Sequence, residues 1–171
     1  MLTLAAGGLL YLFSPPARPT EEARAAHGHR VFALGRGGVR ALSVELGGVS
    51  VEVARVGASG WTIDGKPAHG VAADAVEELV DTLVKLRALD VFRAVDGATF
   101  GLDPPRGRVE IDAARGGRRR LLLGQHTADG AAFFAQRTGD PRVLKLGAGL
   151  DSSLERLLHA RRLVDVAAPS V

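Results

Sequence analysis

The chain has 171 residues, 46% of them apolar and 24% charged, which fits one globular domain and excludes disorder and collagen. A chain of this length buries roughly 70% of its extended surface; with no cysteine it also has no disulfide framework, no thiolate nucleophile, no cysteine-based metal site and no lipoprotein processing. Lys plus Arg number 22 against 19 acidic residues, a net charge of +3, and with 5% aromatics and acids spread through the same segments no nucleic-acid partner is expected.

Leu2 to Phe13, LTLAAGGLLYLF, carries no charge and is stopped by Ser14-Pro15-Pro16. The run is shorter than the roughly 20 residues that span a bilayer and matches a signal-peptide h-region in length. The small-x-small site Ala23-Arg24-Ala25 lies too far behind it for cleavage. Residues 1–14 are therefore expected to form an N-terminal apolar helix that anchors the chain in the membrane, with basic leading residues upstream of Met1 and residues 15–29 as a linker. A short buried helix is the alternative.

From Arg30 onward the pattern alternates. Leu42, Val44 and Leu46 share one face, Gly47-Gly48 makes a two-residue turn, and Val49, Val51 and Val53 begin the return strand. Trp61 and Ile63 share a face of a third strand, closed by the turn dipeptide Asp64-Gly65. Asp74 with Glu77 reads as a capping box for a helix whose apolar stripe is Ala72, Val76, Leu79, Leu83 and Leu86, with Glu78, Asp81 and Lys85 opposite. The pattern then restarts. Val91 and Phe92 are extended, Thr99 to Pro105 is a turn, and Val109 and Ile111 alternate with Arg108, Glu110 and Asp112. Gly116-Gly117 forms a hairpin tip, followed by strands over 118–123, 131–137 and 142–146. Ser152 with Glu155 repeats the capping box, and Leu154, Leu157 and Leu158 are the apolar face of a last helix. The expected fold is α+β, two units of antiparallel β-meander, 30–89 and 90–165, each closed by one amphipathic helix, with residues 166–171 as a tail.

Chemistry-bearing residues are few. His27-Gly28-His29 leaves a metal's coordination sphere unfilled, and Gly35-Arg36-Gly37-Gly38 lacks the Walker lysine, so no metal and no cofactor is expected. His126 with Asp129 reads as a polar hairpin loop, or as a base oriented by an acid. Arg115 and the run Arg118-Arg119-Arg120 form a candidate interaction patch for phosphates, an anionic lipid surface or an acidic partner. The competing reading is a charged hairpin edge with Glu110 and Asp112 on the neighbouring strand.

Trp61, the helix over 74–89, Phe100-Gly101-Leu102-Asp103-Pro104, Leu123-Gly124, Phe133-Phe134-Ala135-Gln136, Val143-Leu144 and a final helix over 154–163 together resemble the bacterial family called domain of unknown function 4340, over about Val31 to Asp165. Phe100 stands where that family usually carries tyrosine, which removes any role for a phenol hydroxyl. Physically, Gly101 suits a turn, Leu102 a core position, Asp103 the acceptance of backbone N–H bonds, and Pro104-Pro105 a stiff exit. Gly124 ends a strand. The resemblance implies an N-terminal anchor in the inner membrane and a domain facing the periplasm or outside. It also implies a genomic setting beside ABC-type export and gliding-motility auxiliary proteins. The expected function is a non-enzymatic accessory domain that binds a protein partner. The alternative is an envelope ligand-binding or hydrolytic domain using His126, Asp129 and Arg118 to Arg120 on an anionic ligand.

Overall fold

A computed structural model describes residues 29–93 and 96–167. The expected apolar helix and most of the linker lie outside these residues. Among the described residues no helix is long and apolar enough to cross a membrane.

In chain order the elements are β1 (His29–Arg30), β2 (Val39–Leu46), β3 (Val49–Val56), β4 (Gly60–Ile63), β5 (Lys66–Ala68), α1 (Val71–Lys85), β6 (Arg87–Ala88), β7 (Asp90–Arg93), β8 (Gly107–Ala113), β9 (Gly117–His126), β10 (Ala132–Arg137), β11 (Arg142–Gly147) and α2 (Gly149–Ala167). Nine strands form one continuous antiparallel sheet in the order β5-β4-β3-β2-β8-β9-β10-β11-β7, and β1 pairs with β6 beside it. The protein is thus α+β with a mostly antiparallel sheet and two helices.

Alternation decides the layers. Leu42 and Val44 of β2, Val51 and Val53 of β3, Val109 and Ile111 of β8, and Leu121 and Leu123 of β9 are all buried in one core. The apolar stripe of α1 (Val76, Leu79, Leu83) and Leu150, Leu154 and Leu157 of α2 complete that core. The two helices pack against each other and over β3, β4 and β5. The opposite face of β2, β3 and β8 carries Ser43, Glu45, Glu52, Arg108, Glu110 and Asp112, none of them buried.

At the other side of the sheet a second, smaller apolar layer forms on that opposite face. Phe100 stacks with Phe92 at 6.2 Å and meets Phe134 edge-on at 4.9 Å, above the buried Val143. Phe133, next in sequence, is fully buried against the helices.

The turns follow their sequence chemistry. Gly47 and Gly48 have φ of 58° and 79°, and Asp64 and Gly65 have 49° and 78°, as hairpin turns matched to strand twist require. The helix starts differ from expectation. α1 begins at Val71 after Gly70, with no side-chain cap, and Asp74 lies within its first turn. Glu77 instead accepts a hydrogen bond from the Trp61 indole, 2.6 Å away. α2 begins at Gly149, and the Ser152 hydroxyl donates back to the Ala148 carbonyl at 3.5 Å rather than capping. In both cases the chain turns helical about one turn before the acidic signal, because burial of Ala72 and Leu150 extends the apolar face upstream. α2 also runs to Ala167, into the stretch read as a tail.

Candidate functional site

Two polar clusters stand out, at opposite ends of β9.

The first is built by a β-bulge. Along β9, Leu121 and Leu123 face the helices, so simple alternation places His126 on the opposite face. The pairing with β10 shifts register, from Ala135 opposite Leu123 to Phe133 opposite His126, so β9 carries one extra residue. His126 thereby turns to the helix side. Its Nε2 lies 2.7 Å from Asp151 Oδ2, in the first turn of α2. Arg106 Nη2 donates to Asp151 Oδ1 at 2.5 Å and Arg106 Nε to the Gly124 carbonyl at 2.7 Å, and its guanidinium lies 5.0 Å from the Phe133 ring. The Asp151 side chain is only 12% exposed and sits near the start of a helix, where negative charge is favoured. This carboxylate fixes the orientation of the imidazole and bridges it to Arg106.

Asp129 is not part of that cluster. It accepts from the Thr127 hydroxyl at 2.5 Å and the Ala131 N–H at 3.1 Å, and these two bonds, the hydroxyl first, hold its carboxyl below the usual aspartate range. Its charge is committed to its own turn. The Ser152 hydroxyl is likewise engaged, with the Ala148 carbonyl. No group of three metal-ligating side chains occurs among the described residues.

The second cluster lies at the other end, about 20 Å along β9 from His126. The tips of the β8–β9 and β10–β11 hairpins flank a cleft of about 580 Å³ lined by Arg118, Arg119, Arg120, Arg137 and Arg142, with Asp140 and Phe32. Asp140 pairs with Arg137 and takes both Arg142 Nε at 2.9 Å and Nη2 at 2.8 Å. Arg142 first and Arg137 second drive its carboxyl far below the ordinary range, so it stays ionised. Arg120 pairs with Glu110 at 2.7 Å. Arg118 and Arg119 have no hydrogen bond or ion pair among the described residues, and the Nε of Arg119 is buried without a partner.

His126 and Arg118 to Arg120 are therefore not brought together, and the arginine run is not at a sheet edge, since β9 is interior. The edges are β5, three residues long with Pro67 inside it, and β7. Arg115 lies in the exposed β8–β9 turn. Sequence reading missed Asp151, Arg137, Asp140 and Arg142, and the partner of Arg106. For Arg137, Asp140 and Arg142 a signal exists, since the two arginines bracket Gly139-Asp140 in a turn where both can reach one carboxylate. For Arg106 and Asp151 none does, because they are 45 residues apart and meet only through the fold.

The Phe100 to Pro104 segment fastens the second apolar layer. Gly101 has φ 64°, and a Cβ there would lie 2.8 Å from the Gln125 nitrogen. Leu102 is buried. Asp103 is exposed and accepts no hydrogen bond among the described residues; Asp96 does so instead, from the Ala98 N–H at 2.9 Å. The Asp103–Pro104 bond is cis. Trp61 is buried, with the Arg55 guanidinium 4.1 Å from its ring centre.

No curated protein and no solved structure matches the chain. A family model described as Domain of unknown function (DUF4340) matches residues 61–167. The match begins later than the resemblance read from Val31, leaving β1 to β3 outside it. It runs from Trp61 through both helices, covers Phe100 to Pro104, and takes in well over half of the 171 residues, so the chain belongs to the domain of unknown function 4340 family.

Proposed function

We propose that this chain is a non-enzymatic, membrane-anchored accessory domain, held at the inner membrane by residues 1–14 and facing the periplasm or outside. It binds a protein partner in an ABC-type export or envelope complex. The observation that carries this reading is the helix-free face of β2, β3 and β8, where Glu45, Glu52, Glu110 and Asp112 stand with Arg108 on neighbouring strands beside the Arg118 hairpin. Such a surface offers charge complementarity and register to a partner. Within the reading, residues 30–89 and 90–165 are two similar units of antiparallel β-meander, each closed by one helix. The hydrolytic alternative is less supported, since His126, Asp129 and the arginines lie in separate clusters.

The test is affinity purification of the full chain from detergent-solubilised membranes, beside a Glu52→Lys, Glu110→Lys variant. A defined set of envelope proteins recovered with the wild type and lost with the variant is the expected result. Equal recovery by both chains would remove this face from the proposal, and a chain that stays in the soluble fraction would remove the anchor.

A further inference from the structure

The arginine cleft lies at the end of the sheet where the chain enters the domain. Val31 and Phe32 run beside it. Arg137, in the cleft wall, donates to the Val31 carbonyl at 3.1 Å, the Val31 N–H donates to the Leu86 carbonyl at 3.0 Å, and Phe32 forms part of the cleft lining. A second cavity of about 160 Å³ shares Arg137 and Arg142 with the cleft and adds His29 and Arg30, the first described residues. Arg93, on the edge strand, stands opposite Arg142 in register. Positive charge is thus concentrated around the point of entry, although the whole chain carries only +3.

Five arginines line the cleft; Arg137 and Arg142 share Asp140, and Arg120 is paired with Glu110. Arg118, opposite Asp112 in register, and Arg119 make no ion pair among the described residues, and a guanidinium nitrogen of Arg119 is buried without an acceptor. Arg118 is exposed, and an exposed guanidinium can donate charge-assisted bonds to a phosphate oxygen. A guanidinium fork matches the two non-bridging oxygens of a phosphodiester bidentately.

From these observations we infer that the cleft binds the phosphate headgroups of anionic lipids in the membrane that carries residues 1–14, docking the sheet end-on against that surface. The inference rests on the anchor reading given above. If residues 1–14 are embedded, residues 15–28 reach at most about 50 Å even when fully extended, so the cleft stays within reach of the surface. Attraction of basic residues to anionic headgroups then acts at close range.

The experiment uses the full chain reconstituted in vesicles, with hydrogen exchange read over residues 117–122 and 138–141. Flotation with pure phosphatidylcholine vesicles reads the anchor alone. Protection of both segments on phosphatidylglycerol vesicles but not on phosphatidylcholine, lost at high salt, supports headgroup binding. Arg118→Ala with Arg119→Ala is expected to raise the phosphatidylglycerol content needed for half-protection severalfold while leaving flotation on phosphatidylcholine and the Trp61 melting curve unchanged. Inorganic phosphate added to phosphatidylcholine vesicles is the second arm. Full protection by phosphate, with none from phosphatidylglycerol, overturns the lipid source in favour of a soluble phosphate ligand. Absence of protection in both arms overturns the cleft as an anion site. A chain that fails to float on phosphatidylcholine yet is protected on phosphatidylglycerol overturns the anchor and upholds headgroup binding.

Discussion

Gly124 has no room for a side chain. A Cβ at this position would overlap the Phe100 carbonyl oxygen and come within 3.0 Å of the Phe134 oxygen, both main-chain atoms that cannot swing aside. The same residue sits at the bulge that turns His126 toward Asp151, and its carbonyl accepts from Arg106. One glycine therefore supports the close approach of the Phe100 loop and the placement of the polar cluster. Gly124→Ala is expected to cost about 2 kcal/mol, typical of overpacking, and to lower the melting temperature by roughly 5 °C. Gly38→Ala, where an added Cβ meets nothing within 4 Å, is the matched control and should melt within about 1 °C of the wild type. Equal melting of both variants would show that the loop does not rest on Gly124.

At the scale of elements, the turns and helix ends are where charge is committed. The β10–β11 turn is held by Asp140 between Arg137 and Arg142, and the turn after β4 by Asp64, which accepts from the Glu52 N–H at 2.8 Å and from Arg161 at 2.5 Å. Burial raises the Asp64 carboxyl, but the Glu52 N–H and Arg161 outweigh it, so both aspartates titrate below their ordinary range. A carboxyl whose pKa is lower in the folded chain than in the unfolded one, about 3.9, stabilises the fold above that value; the contribution is lost as pH falls through the folded pKa. Stability is therefore expected to decline on acidification below about pH 4. Asp140→Asn should lower the urea midpoint at pH 7, and the gap from wild type should narrow below pH 4. A gap that does not change between pH 7 and pH 3 would show that the ionised turn contributes nothing. α2 is tied in the same manner to the β4–β5 hairpin, through Arg161 to Asp64 and Asp165 to Lys66, and to α1, through Arg156 to Glu78.

On the scale of the whole molecule, the pairing of β2 with β8 makes one sheet from strands distant in the chain, with Val44 opposite Val109, 65 residues on, at the seam. A Cβ on Gly107, at the end of that seam, would lie 2.5 Å from the Glu45 carbonyl oxygen. A continuous core that includes both helices predicts one cooperative unfolding transition. Trp61 fluorescence, reporting β4, and native-state hydrogen exchange of β10 and β11 should give the same midpoint in urea; separated midpoints would divide the domain at the seam. The strands, their faces, the hairpin turns and both helices were legible in the sequence, because period-2 and period-3.6 burial and positive-φ glycines are local properties. β5 went unread, since Lys66-Pro67-Ala68 is too short to show a period and carries the proline of an edge strand. The helix starts were misplaced because burial outweighed the capping signal. What the sequence determined by itself was composition of layers: which residues face a core, where the chain reverses, and that no cysteine chemistry is present. The tertiary structure alone decided that one sheet forms and not two lobes, that a bulge sends His126 to Asp151 and away from the arginines, and that five arginines from two hairpins meet in one cleft. The reason is physical: these depend on register and on contacts between residues far apart in the chain, which no local pattern encodes.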